Sequence, residues 1–478
     1  MKSEIDPSQK LADQAKTSTV LSELRAALGD SLQVDMAQAD LQRHLHDSSG
    51  LTWYASPLAV ALPRSTQDVA ATLKICSNAG IPVVPQGGLT GMVGGALPVD
   101  GAVLLSLQRM TRIEEVDAAS ATMLVQAGAP LQRVQQAAEE HGLSFPLDLG
   151  ARGSCMIGGN IATNAGGNRV LRFGMARDLV LGLEVVLADG TIVSSLNKMI
   201  KNNAGYDLKH LFIGSEGTLG VITRAVLRLV PAAASSAVAL CAAGNYEAVL
   251  ELLKLARSRL SGSLSAFEVM WKEFYALALA SRSRPVPVAA DHEIYVLLEA
   301  LLADENAGAR DLESLLEDAY AGGIILDATI GKSNAECADL WAIRDFSGEL
   351  DRYFGRAVNF DVSIPVGQIA EFVTDCRRRL DAKLPGARML VFGHIADSNI
   401  HLACRAAGNV LPRDEIDRVI YQCVGDWRGS ISAEHGIGVA KREWLSATRS
   451  AAEIALMRSV KSALDPKNIL NPGKVLPE

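Results

Sequence analysis

The sequence predicts an α+β fold in two parts, a glycine-rich first half and a second domain that begins near residue 232. Three observations carry that expectation. At 478 residues the chain exceeds the size at which one hydrophobic core stops growing. After Pro57, short strand-like and helical segments alternate, and β character grows between residues 101 and 231. The Ala/Ser stretch PAAASSA (231–237) then breaks the pattern, and longer helical runs follow it.

Taken in order, TSTVLSELRAALGD (17–30) has helical spacing, with Gly29 near its end. LAVALP (58–63) reads as a strand. STQDVAATLKICSNAG (65–80) reads as an amphipathic helix, with Ser65 as its N-cap and Gly80 just past its last turn. IPVVPQGG (81–88) is a strand running into a glycine loop. GAVLLSL, TMLVQAG, LVLGLEVVLADGTIV and LGVITRAVLRLVP are further strands, and ADGT (188–191) is a hairpin signal between two apolar runs. Beyond the boundary, EAVLELLKLARSRL and AGARDLESLLEDAYAGG read as helices. EIYVLLEALLA reads as a strand running on into less regular sequence. A helix at 451–464 precedes the turn-rich tail DPKNILNPGK. The organisation expected is an N-terminal helical segment (1–49), a glycine-rich domain (50–231), a second domain (232–454) and a C-terminal segment (455–478).

Composition narrows the class. A net charge of −8 without a Lys/Arg run argues against nucleic acid or an anionic membrane as partner. The seven cysteines are scattered and form no CxxC, so they read as buried hydrophobes in a reducing compartment rather than a disulfide framework. The polar start MKSEIDPSQKLADQAK is unlike a secretory signal, and no apolar run approaches the ~20 residues of a membrane span. A soluble, cytoplasmic protein is expected, with a homodimer as the default assembly.

Three loops carry the first chemical signal. PQGGLTGMVGGALP (85–98), GSCMIGGNIATNAGG (153–167) and FIGSEGTLG (212–220) are glycine-rich and joined by apolar strands. Glycine permits close backbone approach, so neighbouring N–H groups can converge on an anion such as a pyrophosphate. No GxGxxG follows the first strand and no GxxxxGK[ST] occurs, which removes the dinucleotide fingerprint and the P-loop.

These loops, with NNAGYDLKHLFIGSEGTLGVIT, resemble the FAD-binding domain of the vanillyl-alcohol oxidase and p-cresol methylhydroxylase superfamily. Within it they are most similar to the D-2-hydroxyglutarate and D-lactate dehydrogenase branch, over roughly residues 50 to 478. The resemblance implies a two-part FAD-binding domain with an α+β substrate, or cap, domain. By position it implicates Pro85, Gly87, Gly88, Thr90, Gly91 and Gly94 from the first loop. From the second it implicates Gly153, Ser154, Gly158, Gly159, Asn160, Thr163, Asn164, Gly166 and Gly167, and from the third Glu216, Gly217 and Ile222. Neither His nor Cys occupies the first loop, so non-covalent FAD is expected. The C-terminal segment is expected to return to the FAD domain.

Two motifs carry three of the eight histidines. FGHIADSNIHLAC (392–404) reads as strand, turn and returning strand, a hairpin that can bring His394 and His401 onto one face. SAEHGIGVAKREWL (432–445) holds Glu434 and His435. Two imidazoles and a carboxylate make a three-ligand site with an open position, the arrangement of catalytic zinc. The resemblance implies that His394, His401 and Glu434 bind zinc, or another divalent metal, and that His435 is the base. It also implies that Arg344, in LWAIRDFSGEL, grips the substrate carboxylate. Asn399 is either a polar contact at the site or a plain turn residue. The reaction implied is oxidation of a D-2-hydroxy acid by hydride transfer from C2 to flavin N5, while a base takes the hydroxyl proton. His44, His46, His141, His210 and His292 read as structural.

The resemblance has departures. The family carries lysine at Asn359, asparagine at Ala403 and threonine at Gly348, beside Ser347. Fewer polar groups at the substrate end put 2-hydroxyglutarate in doubt and favour a shorter or neutral side chain. Two other readings stay open on sequence: a flavin-bearing electron-relay subunit of a larger complex, and an alcohol oxidase on the same scaffold. No motif chooses among an electron-transfer flavoprotein, a quinone and a cytochrome as electron acceptor.

Overall fold

A computed structural model describes residues 7–34, 36–302, 307–408 and 411–477. The first residues of the polar start (1–6) and the continuation of EIYVLLEALLA past residue 302 lie outside the described residues. Helix α1 (Pro7–Leu28) begins well before the apolar spacing at residue 17 suggests. Its extra turns, PSQKLADQAK, are rich in good helix formers and open on a proline, which suits a first helical position. Gly29, with φ of +52°, takes the left-handed conformation that ends it.

A small four-stranded sheet follows, in which Leu32–Gln33 lies antiparallel at one edge beside three parallel strands. Strand β1 (Ala59–Ala61) leads to α2 (Thr66–Ala79), then β2 (Val83–Gln86) and β3 (Val103–Ser106), in the order β1-β3-β2. The caps read from sequence are present: Ser65 accepts from the Asp68 N–H, and Gly80 sits at φ +62°. An antiparallel sheet comes next, from β4 (Ile113–Asp117), β5 (Thr122–Gln126), β6 (Val180–Val186), β7 (Ile192–Ser195) and β8 (Val221–Arg228), in the order β4-β5-β8-β6-β7. The short helix α3 (Ile157–Ala162) lies in the second glycine loop. The two sheets share one core, in which Val69 and Leu73 meet Val103, Val125, Val185 and Ala225.

The remainder is built on a seven-stranded antiparallel sheet. Its elements are β9 (Ser235–Ala243), α4 (Tyr246–Leu260), β10 (Leu264–Trp271), α5 (Lys272–Ala280), β11 (Ile294–Leu302), α6 (Ala307–Ala321), β12 (Asp327–Ile330), α7 (Asn334–Arg344), β13 (Val358–Ser363), α8 (Ile369–Lys383), β14 (Arg388–Gly393), β15 (Asn399–Arg405) and α9 (Arg413–Asp426). The strand order is β12-β9-β11-β10-β14-β15-β13. Strand β9 starts at Ser235, inside the Ala/Ser stretch, so that stretch is partly strand rather than wholly a linker. One face of the sheet packs on α4, α6, α8 and α9 through residues such as Leu252, Leu315, Phe372 and Ile420. The other packs on α5 and α7 through Phe274, Tyr275, Leu340 and Ile343.

After α10 (Ala451–Leu464) the chain runs back along β2, where the Val83 N–H donates to Ile469 O and the Asn471 N–H to Val83 O. Among the described residues no helix is long and apolar enough to cross a membrane.

Candidate active site

The glycine loops and the seven-stranded sheet enclose one cavity of about 540 Å³. One end is lined by Pro85, Gly87, Gly88, Thr90 and Gly91 of the first loop, by Gly158, Gly159, Asn160, Thr163, Gly166 and Gly167 of the second, and by Glu216, Gly217 and Ile222. Gly95 of the first loop also lines it. Among the described residues, no N–H from Gly87 to Val93 donates to another protein group, so the loop presents a row of free donors. Gly88 is a steric necessity: a Cβ there would lie 2.0 Å from Ser154 O, so the first two loops touch backbone to backbone.

Five residues singled out in sequence do not line the cavity. Gly94 turns the loop at φ +76° against Leu97 and Leu51, and Ser154 bonds back to Ala151 O. Gly153 faces Gln132, and Asn164 accepts from the Arg177 N–H. Asn399 is buried, and neither of its side-chain polar atoms has a partner. Glu216 does line the cavity, but its carboxylate accepts from the Ile437 and Gly438 N–H groups at 2.7 and 2.8 Å. It therefore holds the loop after His435.

The other end of the cavity carries Arg344, Ser347, Gly348, Leu350, Asn359, Phe392, His394, His401, Glu434 and His435. The hairpin expected from FGHIADSNIHLAC is β14, a tight turn at Ile395–Asp397, and β15. His394 leaves the end of β14 and His401 sits mid-β15, opposite Phe392, so both rings reach one side of the sheet, 5.4 Å apart. Ligand atoms of His394, His401 and Glu434 all lie within 4.8 Å of one another. Glu434 is fixed from the glycine-rich side, accepting from the Gly167 N–H at 2.7 Å, and a Cβ on Gly166 would lie 2.6 Å from the same oxygen. His435 lies across from His401, with ring centroids 6.1 Å apart.

Three buried charged residues organise this end, and sequence reasoning missed all three. Asp361, on β13 opposite His401, accepts from the N–H groups of Ala433, Glu434 and His435 through one oxygen, at 3.2, 3.0 and 2.9 Å. Lys441 lies 3.7 Å from that oxygen and donates to Ile431 O. Glu268, on β10, accepts from Arg344 Nε at 2.6 Å and contacts His394 Nδ1 at 2.6 Å. The available signal was a lone charge inside an apolar strand run, Glu in LSAFEVMW and Asp in NFDVSIP, because a buried charge must be paired.

The charges set one another. Burial alone would raise the Glu268 carboxyl, but His394 and Arg344 outweigh it and hold it at about 2. Burial would likewise strip His394 of its proton, yet Glu268 prevails and raises it to about 9. When His394 is neutral, the Arg344 guanidinium 3.2 Å from Nε2 can only donate and the Glu268 carboxylate at Nδ1 can only accept, so the single remaining proton sits on Nδ1. His401 is driven well below the usual histidine range by burial and then by the His394 charge, so it is neutral and has a lone pair to give. Arg344 also rests 5.1 Å over the Phe392 ring. Among the described residues Arg344 is the only Lys or Arg lining the cavity. Asn359 and Gly348 line it too, whereas Ala403 is packed in the core beneath the sheet and does not reach it.

Comparison with known proteins follows the same division. Residues 57–195 match the FAD binding domain family, and residues 232–475 match the C-terminal domain of FAD linked oxidases. The chain is 39% identical to a D-2-hydroxyglutarate dehydrogenase of Xanthomonas citri pv. viticola, over 93% of this chain and 94% of that one. It is 41% identical to the mitochondrial D-2-hydroxyglutarate dehydrogenase of Bos taurus, over 87% of this chain and 76% of that one. Among solved structures, p-cresol methylhydroxylase superposes with a TM-score of 0.77 over 97% of each chain at 16% identity, a likeness of fold.

Proposed function

The chain belongs to the FAD-linked oxidases, in the branch of FAD-linked D-2-hydroxy acid dehydrogenases, and from that premise we propose a specific reaction. It oxidises a D-2-hydroxy acid with an uncharged side chain to the 2-oxo acid, beside a divalent metal, with His435 as the base. The observation that carries this reading is the meeting, in one cavity, of a glycine-rich cradle, a His₂Glu donor set, a third histidine backed by Asp361 and a single arginine.

The glycine-rich end fits FAD held without a covalent bond. It offers free N–H groups from Gly87 to Val93 for the pyrophosphate, and neither His nor Cys stands in that loop. Bound there, FAD supplies the acceptor for the C2 hydrogen and its electron pair. His394, His401 and Glu434 fit a divalent metal, and nitrogen and carboxylate donors with an open position favour zinc. Such a metal supplies Lewis acidity toward the substrate hydroxyl.

The remaining work belongs to the protein. Arg344 offers its guanidinium edge to the substrate carboxylate, its own orientation fixed by Glu268 below and Phe392 beside it. His435 takes the hydroxyl proton, and Asp361, 3.8 Å from its Nδ1, stabilises the imidazolium that results. Asp361, Glu216 and Gly167 together keep the 434–438 loop from moving during that transfer. The electrons then leave to a separate acceptor, for which an electron-transfer flavoprotein, a quinone or a cytochrome would serve. Seven free, buried cysteines favour a reducing compartment such as the cytoplasm.

The substrate limit follows from charge. With Arg344 on the 2-hydroxy carboxylate, no second Lys or Arg among the described residues lining the cavity is left to meet another carboxylate, and Asn359, Ser347, Leu350 and Phe392 are uncharged. Leaving it imperfectly paired costs roughly 1–3 kcal/mol, about 5- to 150-fold in kcat/KM. Pairs of D-2-hydroxy acids of equal length, one ending in a methyl and one in a carboxylate, test this. The methyl member should be preferred by that factor, and equal or better turnover of the dicarboxylate would refute the limit.

A further inference from the structure

Glu268 touches neither substrate nor cofactor, because it does not line the cavity and is 1% exposed. Both its oxygens are nonetheless committed to groups that do line it. Oε1 lies 2.6 Å from His394 Nδ1 and Oε2 lies 2.6 Å from Arg344 Nε. It projects from β10, the strand next to β14, while Arg344 comes from the last turn of α7. One carboxylate thus joins three elements directly behind the site.

We infer that Glu268 is a positioning residue that sets two things at once: the nitrogen His394 offers to the metal, and the plane in which Arg344 meets the substrate carboxylate. The inference rests on the metal and arginine roles proposed above. An ionised carboxylate can only accept, so His394 must carry its proton on Nδ1 and keep the Nε2 lone pair for the metal. By the same bond Arg344 loses its freedom about Nε, and its terminal nitrogens are left to grip substrate, Nη2 on giving up the 3.2 Å contact with His394 Nε2 where the metal would bind.

A glutamine cannot do both jobs. Its one acceptor oxygen can satisfy either Arg344 or His394, and its NH₂ must then face the other. Facing His394, the amide would move the imidazole proton to Nε2 and block the metal. Facing Arg344, it would set donor against donor and swing the guanidinium away.

The test uses the full-length, FAD-loaded chain and zinc alone as the metal probe, in competition with a chromophoric chelator. Glu268→Gln should bind zinc 10- to 100-fold more weakly than wild type, the usual effect of removing a ligand's hydrogen-bond partner. Its KM for the preferred hydroxy acid should rise, with FAD content unchanged. Wild-type zinc affinity and KM in a variant that merely melts earlier would mean that Glu268 is structural only, and would overturn the inference while leaving the metal site standing. A wild-type protein that binds no zinc would overturn the metal reading and this inference together.

Should Glu268→Gln fail to fold, ¹⁵N-histidine NMR of zinc-loaded wild type decides the matter, with His394 assigned by loss of its signals in His394→Gln. A proton on Nδ1 and zinc on Nε2 is the expected result. The reverse arrangement overturns the inference.

Discussion

Two glycines of the cradle should respond to the same substitution in opposite ways. A Cβ on Gly88 would sit 2.0 Å from Ser154 O and 2.9 Å from its carbonyl carbon, about 1.4 Å inside ordinary contact with backbone that has nowhere to retreat. A Cβ on Gly159 meets no protein atom within 4 Å, and Gly159 lines the cavity. Gly88→Ala must therefore push the first and second loops apart. Overpacking of that kind costs about 1–3 kcal/mol of folding stability, or more where backbone is the obstacle. Gly159→Ala should leave the FAD-free protein as stable as wild type, because the methyl fills only open space. Its cost appears when FAD enters, and the same 1–3 kcal/mol there weakens FAD binding roughly 5- to 150-fold. Thermal unfolding without FAD, followed by fluorimetric FAD titration, separates the two. A Gly88→Ala protein that melts with wild type, or a Gly159→Ala protein that binds FAD normally, would refute the reasoning.

Other perturbations probe the opposite end. His435→Asn should lower kcat by about 10²- to 10⁴-fold with FAD and zinc retained, checked by single-turnover flavin reduction beside metal analysis. Asp361→Ala strips the acceptor from three N–H groups of the 433–435 segment and leaves Lys441 buried without its partner. It should cost several kcal/mol in chemical denaturation and loosen zinc, whereas Asp361→Asn, which keeps an acceptor oxygen, should do much less. Lys474 is buried beside the Trp53 ring, and burial lowers its ammonium to about 8, against 10.5 for a free lysine. Between those values the unfolded chain holds a proton that the folded one has lost, so this lysine's contribution to stability grows as pH rises through about 8 to 10.5. Relative to Lys474→Met, wild type should gain stability across that window in denaturant melts. A difference independent of pH would contradict the assignment.

What the sequence disclosed and what it withheld divide by range. The Ser65 cap, the Gly80 stop, the turn at Ala188–Thr191 and the hairpin bearing His394 and His401 are set by contacts within a few residues, so their signatures are contiguous. The glycine loops were legible as a cradle for the same reason. Glu268, Asp361 and Lys441 were not, since each acts on a residue far along the chain, as Glu268 does on His394 across 126 positions. Their neighbours in sequence are ordinary strand or loop residues. Gly94, Gly153, Ser154, Asn164 and Asn399 sit inside motifs whose other members line the cavity, yet the first four turn or brace those loops and Asn399 is buried without a side-chain partner. A motif marks which loop forms the site, and only the backbone trace decides which of its side chains faces inward. The start of α1 at Pro7 was missed because helix propensity, rather than a periodic apolar face, carries it.

The most direct test of the proposed chemistry is the flavin band of the isolated protein under anaerobic conditions, followed while D- and L-2-hydroxy acids with uncharged side chains are added. The proposal predicts bleaching by D-enantiomers alone, abolished when a chelator removes the metal and restored by zinc. Bleaching that survives full metal removal would contradict the role given to His394, His401 and Glu434. No bleaching by any of the acids, with FAD and metal both bound, would contradict the proposed reaction itself.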